Sequence, residues 1–246
     1  MVEEFVSEYQ GNKFFRRFRV PSMSAASSIQ SNLTRIRAHL KQISPRSVDL
    51  VAVSKLKPAS DILKAYEAEQ RHFGENYVSE LVEKCTTLPT DIRWHFIGHL
   101  QSNKVTKLIS SCPNLYMIET VDSEKLANKI ELALKTAQRS DPLRVLVEVK
   151  TSSEESKSGL SISEVPRLVS HIRSQCPHLA FSGLMTIADE SDAVASFTKL
   201  MGVKSALESE GVVVETVSMG MSRDFASAIQ AGATQVRLGS SIFGAR

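Results

Sequence analysis

What most constrains the fold of this chain is a rhythm of short apolar runs. Seven of them, at 49–53, 94–98, 115–119, 144–149, 181–187, 213–219 and 235–239, are joined by a weaker eighth, His72-Phe73-Gly74-Glu75. They are rich in Val, Ile, Leu or Phe and mostly lack polar alternation, as parallel strands covered on both faces should. Helix-period segments lie between them at about 58–70, 77–87, 101–110, 123–138, 161–175, 192–210 and 222–231, and a further helix at about 26–43 precedes the first strand. Shared among eight strands, the chain from Ser24 to Arg246 gives about 28 residues per strand–helix unit, the spacing of a (β/α)8 barrel.

A doubly wound open sheet also alternates strands and helices. However, no Gly-x-Gly-x-x-Gly or Walker loop follows the first strand, and no linker divides the chain. The expectation is therefore one α/β domain, a (β/α)8 TIM barrel over 24–246 with an extra N-terminal helix. Local signals agree with these elements. Asp122-Ser123 before Leu126, and Ser222 before Phe225, supply N-caps. Pro58 suits a first helical turn, and Gly211 and Gly232 suit helix ends.

Composition narrows the function classes. Thirty Lys+Arg against 27 Asp+Glu leave a net charge of +3, too near neutral for a nucleic-acid surface. No apolar run approaches the roughly 18 residues that cross a bilayer. Cys85, Cys112 and Cys176 are odd in number, scattered and without a CxxC pair, which argues against a disulfide framework and a cysteine zinc site. A reducing compartment follows, the cytoplasm first and the mitochondrion second. Residues 1–23 include Phe14-Phe15-Arg16-Arg17-Phe18-Arg19, followed by a small polar run from Ser22 to Ser28. Glu3, Glu4 and Glu8 spoil a transit-peptide pattern, so a disordered extension is expected, with Met23 an alternative start.

In a barrel of this kind the loops after the strands form the active face, so polar residues at strand ends are the candidates. Those ends are Ser54-Lys55, Glu75-Asn76-Tyr77, His99, Glu119-Thr120, Glu148 with Lys150, Met185-Thr186, Ser218-Met219-Gly220 and Arg237-Leu238-Gly239-Ser240-Ser241. Lys55 directly follows Val51-Ala52-Val53, and partial desolvation of its amine would lower the pKa and free the neutral form that a Schiff base needs. A snorkelling strand-end lysine is the plainer alternative. Arg237 interrupts the last apolar strand and cannot shed its charge, so it must meet an acceptor: a ligand, or a barrel acid such as Glu148 or Glu119.

Gly239-Ser240-Ser241 and the run Ser218 to Ser222 follow strands eight and seven, where barrel phosphate sites recur, although Gly and Ser also make ordinary turns. His95 and His99 sit about 13 Å apart on an extended segment, with no carboxylate or cysteine at a metal-binding spacing, so no metal is expected. No Gly-x-Ser-x-Gly elbow occurs, and Glu154 to Lys157 reads as a solvated loop. A reactive lysine, an anion cradle and a barrel arginine together describe a pyridoxal-phosphate (PLP) site.

At this point the chain resembles a known family, the pyridoxal-phosphate homeostasis proteins, single-domain relatives of the alanine racemase N-terminal barrel. The strings that carry the resemblance begin with Val51 to Lys55 with Pro58, Phe73 to Val78 and His95 to Lys104. Gly183 to Ile187, Ser218 to Ser222 with Asp224-Phe225, and Val236 to Ser240 through Phe243-Gly244 complete them. The resemblance implies PLP held as an internal aldimine, a Schiff base, on Lys55. It also implies Arg237 at the pyridine nitrogen, Ser218, Gly239 and Ser240 around the phosphate, and Asn76 near the ring. Two departures stand out. Lys150-Thr151-Ser152-Ser153-Glu154 replaces Asn-Thr-Ser-Gly-Glu, and the stretch after Ile187 is short, which implies a sixth loop that covers the cofactor less.

The family's members are regarded as carriers or regulators of the vitamin B6 pool, so the resemblance implies buffering and delivery to apo PLP-dependent enzymes. An arginine facing the ring nitrogen keeps that nitrogen unprotonated and weakens the ring as an electron sink. Alanine racemases add a second base from a β domain. The chain reaches only seven residues beyond Gly239, so that domain is expected to be absent, with Tyr77 the nearest substitute. A monomeric carrier rather than an enzyme is the expectation. The alternatives are an amino-acid racemase or lyase, and a barrel for another phosphate ester with Lys55 as a point charge.

Overall fold

The apolar rhythm resolves into a closed barrel. The computed structural model describes residues 28–152, 158–189 and 191–244, so the extension expected at 1–23 and the run Glu154 to Lys157 lie outside the described residues. Eight parallel strands close in chain order: β1 (Asp49–Val53), β2 (His72–Glu75), β3 (Arg93–Phe96), β4 (Leu115–Val121), β5 (Leu143–Glu148), β6 (Leu179–Met185), β7 (Thr216–Ser218) and β8 (Gln235–Leu238). The ring shuts where β8 pairs with β1, from Asp49↔Gln235 to Ala52↔Leu238. The outer layer is α1 (Ile29–Ile43), α2 (Ala59–Glu67), α3 (Val78–Thr87), α4 (Val105–Ser111), α5 (Glu124–Thr136), α6 (Val165–Gln175), α7 (Ala193–Ser209), α8 (Phe225–Ala231) and the short α9 (Ser240–Phe243).

Two helices start on serine caps, of which Ser123 was expected. Ser123 caps α5 by accepting from the Leu126 N–H at 3.3 Å, and Ser28 caps α1 through Ser31 at 3.1 Å. The stripe Leu33, Ile36 and Leu40 buries α1, and the Asn32 amide donates to the Ile242 carbonyl at 2.9 Å, tying this helix to α9. Each such buried Leu or Ile contributes about 1.5–3 kcal/mol.

Strand parity decides what lies inside the barrel. Val236, Leu238, Trp94, Phe96 and Ile118 belong to the helix–sheet core. The intervening positions turn inward, where a small separate cluster of Met117, Leu146 and Met185 forms the apolar filling. Polar side chains share that interior: His95, Glu119, Glu148, Ser218, Gln235 and Arg237 are all buried.

Several local expectations are corrected. The helical segments at 101–110 and 161–175 open on 3-10 turns, Ser102–Lys104 and Ile162–Glu164, before α4 and α6 begin. The strand expected over 213–219 shrinks to β7, and Pro58 occupies the N-cap position of α2 rather than its first turn. Helix α8 starts at Phe225 with Asp224 in the N-cap position, while the Ser222 hydroxyl accepts instead from the Ser241 N–H at 3.3 Å. Cys85 and Cys112 are disulfide-bonded, against the expectation of cysteines too scattered to pair. Helices α3 and α4 are neighbours in the outer layer, which brings residues 27 apart in sequence to a Cα separation of 5.5 Å. Cys176 is free and buried.

Candidate functional site

Lys55 keeps the inward parity of Val51 and Val53 as the chain leaves β1, and it is half-buried. The turn around it is fixed from behind by a buried cation. Lys84 on α3, 6% exposed, donates to the Ser54 carbonyl at 2.9 Å and to Glu75 and Glu80, both at 2.7 Å. Ser54 donates to the same Glu75 oxygen at 2.6 Å, and the Leu56 N–H donates to Glu80 at 2.6 Å. Leu56 adopts φ 61°, a left-handed conformation costly for a non-glycine residue, so this cluster holds the lysine-bearing turn in a shape it would not adopt unaided. Lys84 carried no signal at a strand end; the only trace was its i,i+4 spacing from Glu80.

Lys55, Arg237, Gly239 and Ser240 line one cavity of about 330 Å³, together with Val53, Met221 and Ser222. The loop after β7 turns through Gly220 at φ 95°, where an added Cβ would come within 2.6 Å of the Ala228 Cβ. Gly239 lies close against β1, its would-be Cβ 3.3 Å from the Val53 carbonyl oxygen. The backbone N–H groups of Ser222 and Ser240 have no acceptor among the described residues. Both residues line the cavity, and backbone donors left over at such a wall are what an anion cradle requires.

Arg237 is 4% exposed, and burial lowers its pKa while Glu119, Glu148 and Asp224 oppose that shift. Its guanidinium donates from Nη1 to the Ser218 hydroxyl at 2.6 Å and from Nη2 to the Thr186 carbonyl at 2.9 Å. No direct ion pair with Glu119 or Glu148 forms; Glu119 is reached through Ser218, which donates to it at 2.6 Å. The remaining donors of the guanidinium fork belong to a side chain that lines the cavity.

Two residues are placed apart from the other four. Ser218 is fully buried, its hydroxyl engaged with Arg237, Gln235 and Glu119, and it is not part of the cavity lining. Asn76 lines a second cleft of about 310 Å³ with Tyr77, His99, Gln101 and Lys104, and its buried Oδ1 has no hydrogen-bond partner. Gly98 permits that arrangement, since a Cβ there would lie 2.3 Å from the Asn76 carbonyl oxygen. His95 is wholly buried in the barrel, whereas His99 is exposed on the loop after β3. Glu148 at the end of β5 accepts from Ser158 at 2.8 Å through one oxygen, while its other oxygen is buried without a partner. Burial raises its pKa, with the Ser158 bond opposing. Among the described residues no group of His, Cys, Asp and Glu could hold a metal ion.

Amine, fixed guanidinium and unpaired amides on one wall suit a phosphorylated aldehyde with a ring nitrogen. A barrel with that donor set at the ends of β1, β7 and β8 is one defined class of protein, and comparison with known proteins agrees. The family model for the alanine racemase N-terminal domain matches residues 25–246. The pyridoxal phosphate homeostasis protein of Mus musculus is 46% identical over 231 residues, covering 89% of this chain and 83% of that one. That of Caenorhabditis elegans is 48% identical over 209 residues, covering 80% and 85%. The PLP-bound structure of PipY from Synechococcus elongatus PCC7942 superposes with a TM-score of 0.75 at 34% identity, covering 88% of this chain and all of that one. The chain belongs to the alanine racemase N-terminal-domain family and, within it, to the pyridoxal phosphate homeostasis proteins.

Proposed function

We propose that this protein binds PLP at the cavity and buffers it, releasing it to apo PLP-dependent enzymes. The observation that carries the reading is the convergence of Lys55, Arg237, Gly239 and Ser240 on one cavity whose Ser222 and Ser240 amides have no acceptor among the described residues. When bound, PLP supplies an aldehyde that a lysine amine captures reversibly. Lys55 is the residue that would hold it. The amides of Ser222 and Ser240 would bind the phosphate. Arg237 donates only, so it would offer the ring nitrogen a hydrogen bond and no acceptor for a proton there. That arrangement favours holding over carbanion chemistry.

Exposed Leu56, Tyr77 and Met221 come from the loops at this end of the barrel and give a recipient enzyme an apolar contact beside the cavity. The other exposed large apolar residues, such as Leu132, Val194 and Val213, come from separate elements, which supports a monomer. No described helix is long and apolar enough to cross a membrane.

Borohydride reduction followed by peptide mass mapping tests the assignment. A bleached yellow band and one cofactor mass on the Lys55 peptide are expected. An unchanged spectrum with no added mass would remove PLP from the cavity. Rapid Lys55-dependent exchange of amino-acid α-protons in deuterated water would replace the carrier with a racemase or lyase.

A further inference from the structure

Beneath the cavity, side chains from five strands form one hydrogen-bonded chain across the barrel interior. Arg237 donates to Ser218 at 2.6 Å, and Ser218 donates to Glu119 Oε2 at 2.6 Å. Gln235 donates to Glu119 Oε1 at 2.7 Å and to Ser218 at 3.0 Å. From the other side, His95 Nδ1 lies 2.6 Å from Glu119 Oε1, and His72 Nδ1 lies 2.8 Å from His95 Nε2. Arg93 Nη1 ends the chain 3.3 Å from His72 Nε2. His95, Glu119 and Ser218 are completely buried.

The direction of every bond is fixed by what each group can do. A guanidinium has no acceptor, so Arg237 consumes a lone pair of Ser218 and leaves the serine proton for Glu119. At the far end Arg93 consumes His72 Nε2. His72 then carries its proton on Nδ1 and donates to His95 Nε2, and His95 in turn carries its proton on Nδ1 and donates to Glu119. All donors thus converge on one carboxylate, and only the ionised form accepts from all of them. The charges conform. Burial alone would raise the pKa of Glu119, but the His95 bond and the Arg237 charge hold it below the usual carboxylate range. His72 is pushed down to about 3 by burial, His95 and Arg93, with Glu119 opposing, and stays neutral.

We propose that Glu119 is a positioning residue for the cofactor site: through Ser218 it holds Arg237 in place and balances its charge, while His95 and His72 anchor the carboxylate from the N-terminal end of the barrel. This inference rests on the reading of the cavity as a PLP site. It makes the polar interior part of the site rather than an independent stabilising network.

Two measurements on the full chain test it. The first needs no cofactor: long-range proton–nitrogen NMR of the imidazoles in the apo-protein should show His72 neutral at pH 7 and the protons of the two bonds on Nδ1 of His72 and Nδ1 of His95. A protonated ring, or a proton on Nε2, would overturn the relay. The second is titration of Glu119→Gln with PLP. Affinity should fall roughly tenfold to a hundredfold and the bound absorption band should move, because the guanidinium loses its counter-charge. Glu119→Asp keeps the charge and should restore the band position.

Should Glu119→Gln fail to fold, Ser218→Ala keeps the carboxylate and its His95 and Gln235 donors, removes the serine bridge to Arg237, and should move the band in the same direction. A folded variant of either kind with wild-type affinity and spectrum would overturn the positioning role. Wild-type protein that binds no PLP, yet shows the two Nδ1–H imidazoles, would overturn the cofactor reading and the positioning role built on it while leaving the relay itself in place.

Discussion

Glu119 and Glu148 are both buried carboxylates inside the same barrel, on neighbouring strands, and they behave oppositely. Glu119 receives donors from His95, Gln235 and Ser218, and its pKa is lowered. Glu148 receives the Ser158 hydroxyl, keeps one oxygen unpartnered, and its pKa is raised. Burial is common to both, so burial does not decide the charge of a barrel acid. The supply of donors does. The same contrast separates the two sides of the mouth: the side beneath Arg237 is preorganised and charge-balanced, whereas the side beneath Glu148 and Asn76 retains unmet polar atoms.

The comparison breaks most violently at Arg237. Arg237→Leu leaves the fully buried Glu119 and Ser218 without the guanidinium. Removing one partner from such a buried charge system costs about 3–5 kcal/mol. Urea unfolding should show that loss, and PLP binding should disappear with it. A stable Arg237→Leu protein, within about 1 kcal/mol of wild type, would mean that the donors on Glu119 suffice without the cation.

A gentler break is a titration. His72 has its folded pKa at about 3, below an unfolded value of 6.5, so its stabilising contribution is present above 6.5 and is lost as pH falls toward 3. Glu119 has a depressed carboxylate pKa, and its contribution is lost only as pH falls below about 4.5. The two windows separate. Between pH 6.5 and 4.5 the loss on acidification belongs to the imidazole, while the raised carboxyl of Glu148 changes stability in the opposite direction there, so His72→Gln should remove that loss and leave the carboxylate limb below it. Denaturant midpoints at pH 7, 6, 5 and 4 provide the check, and an unchanged slope between 6.5 and 4.5 would dismiss the His72 assignment.

Much of this was legible in the sequence, and what was not has physical causes. The barrel followed from eight apolar runs alternating with helical segments, about 28 residues per unit on average, because a strand covered on both faces must be apolar and each needs a helix to cover it. Lys55 and Arg237 were legible as charges placed where a dry strand should continue. The fate of Ser218 was not. Its position beside a glycine-rich loop suggests phosphate, but its side chain has inward parity and meets Arg237, and only the register of β7 against β8 reveals that. Lys84 was hidden for a different reason: it reaches the Lys55 turn from a helix, and a buried lysine within an amphipathic segment has the same pattern as a solvated one. The Cys85–Cys112 bond depends on α3 and α4 lying side by side, a tertiary fact that cysteine spacing alone does not carry.

The smallest expected effect is also the sharpest in sign. Glu148 has its folded pKa above the ordinary carboxylate value, so its contribution is complete below about pH 4.5 and is lost as pH rises through the raised folded value. Glu148→Gln imitates the protonated form and can still accept from Ser158 through its carbonyl oxygen. Relative to wild type it should be neutral near pH 4 and more stable at pH 8, by no more than about 1 kcal/mol. Glu119→Gln should show the reverse, a deficit that is full at pH 8 and begins to shrink only below about pH 4.5, because it replaces a carboxylate that the native state keeps ionised. Urea midpoints for both variants at pH 4 and 8 decide the matter. If the two substitutions shift stability with the same sign at pH 8, donor supply does not separate these acids, and a rule based on burial alone would have to replace it.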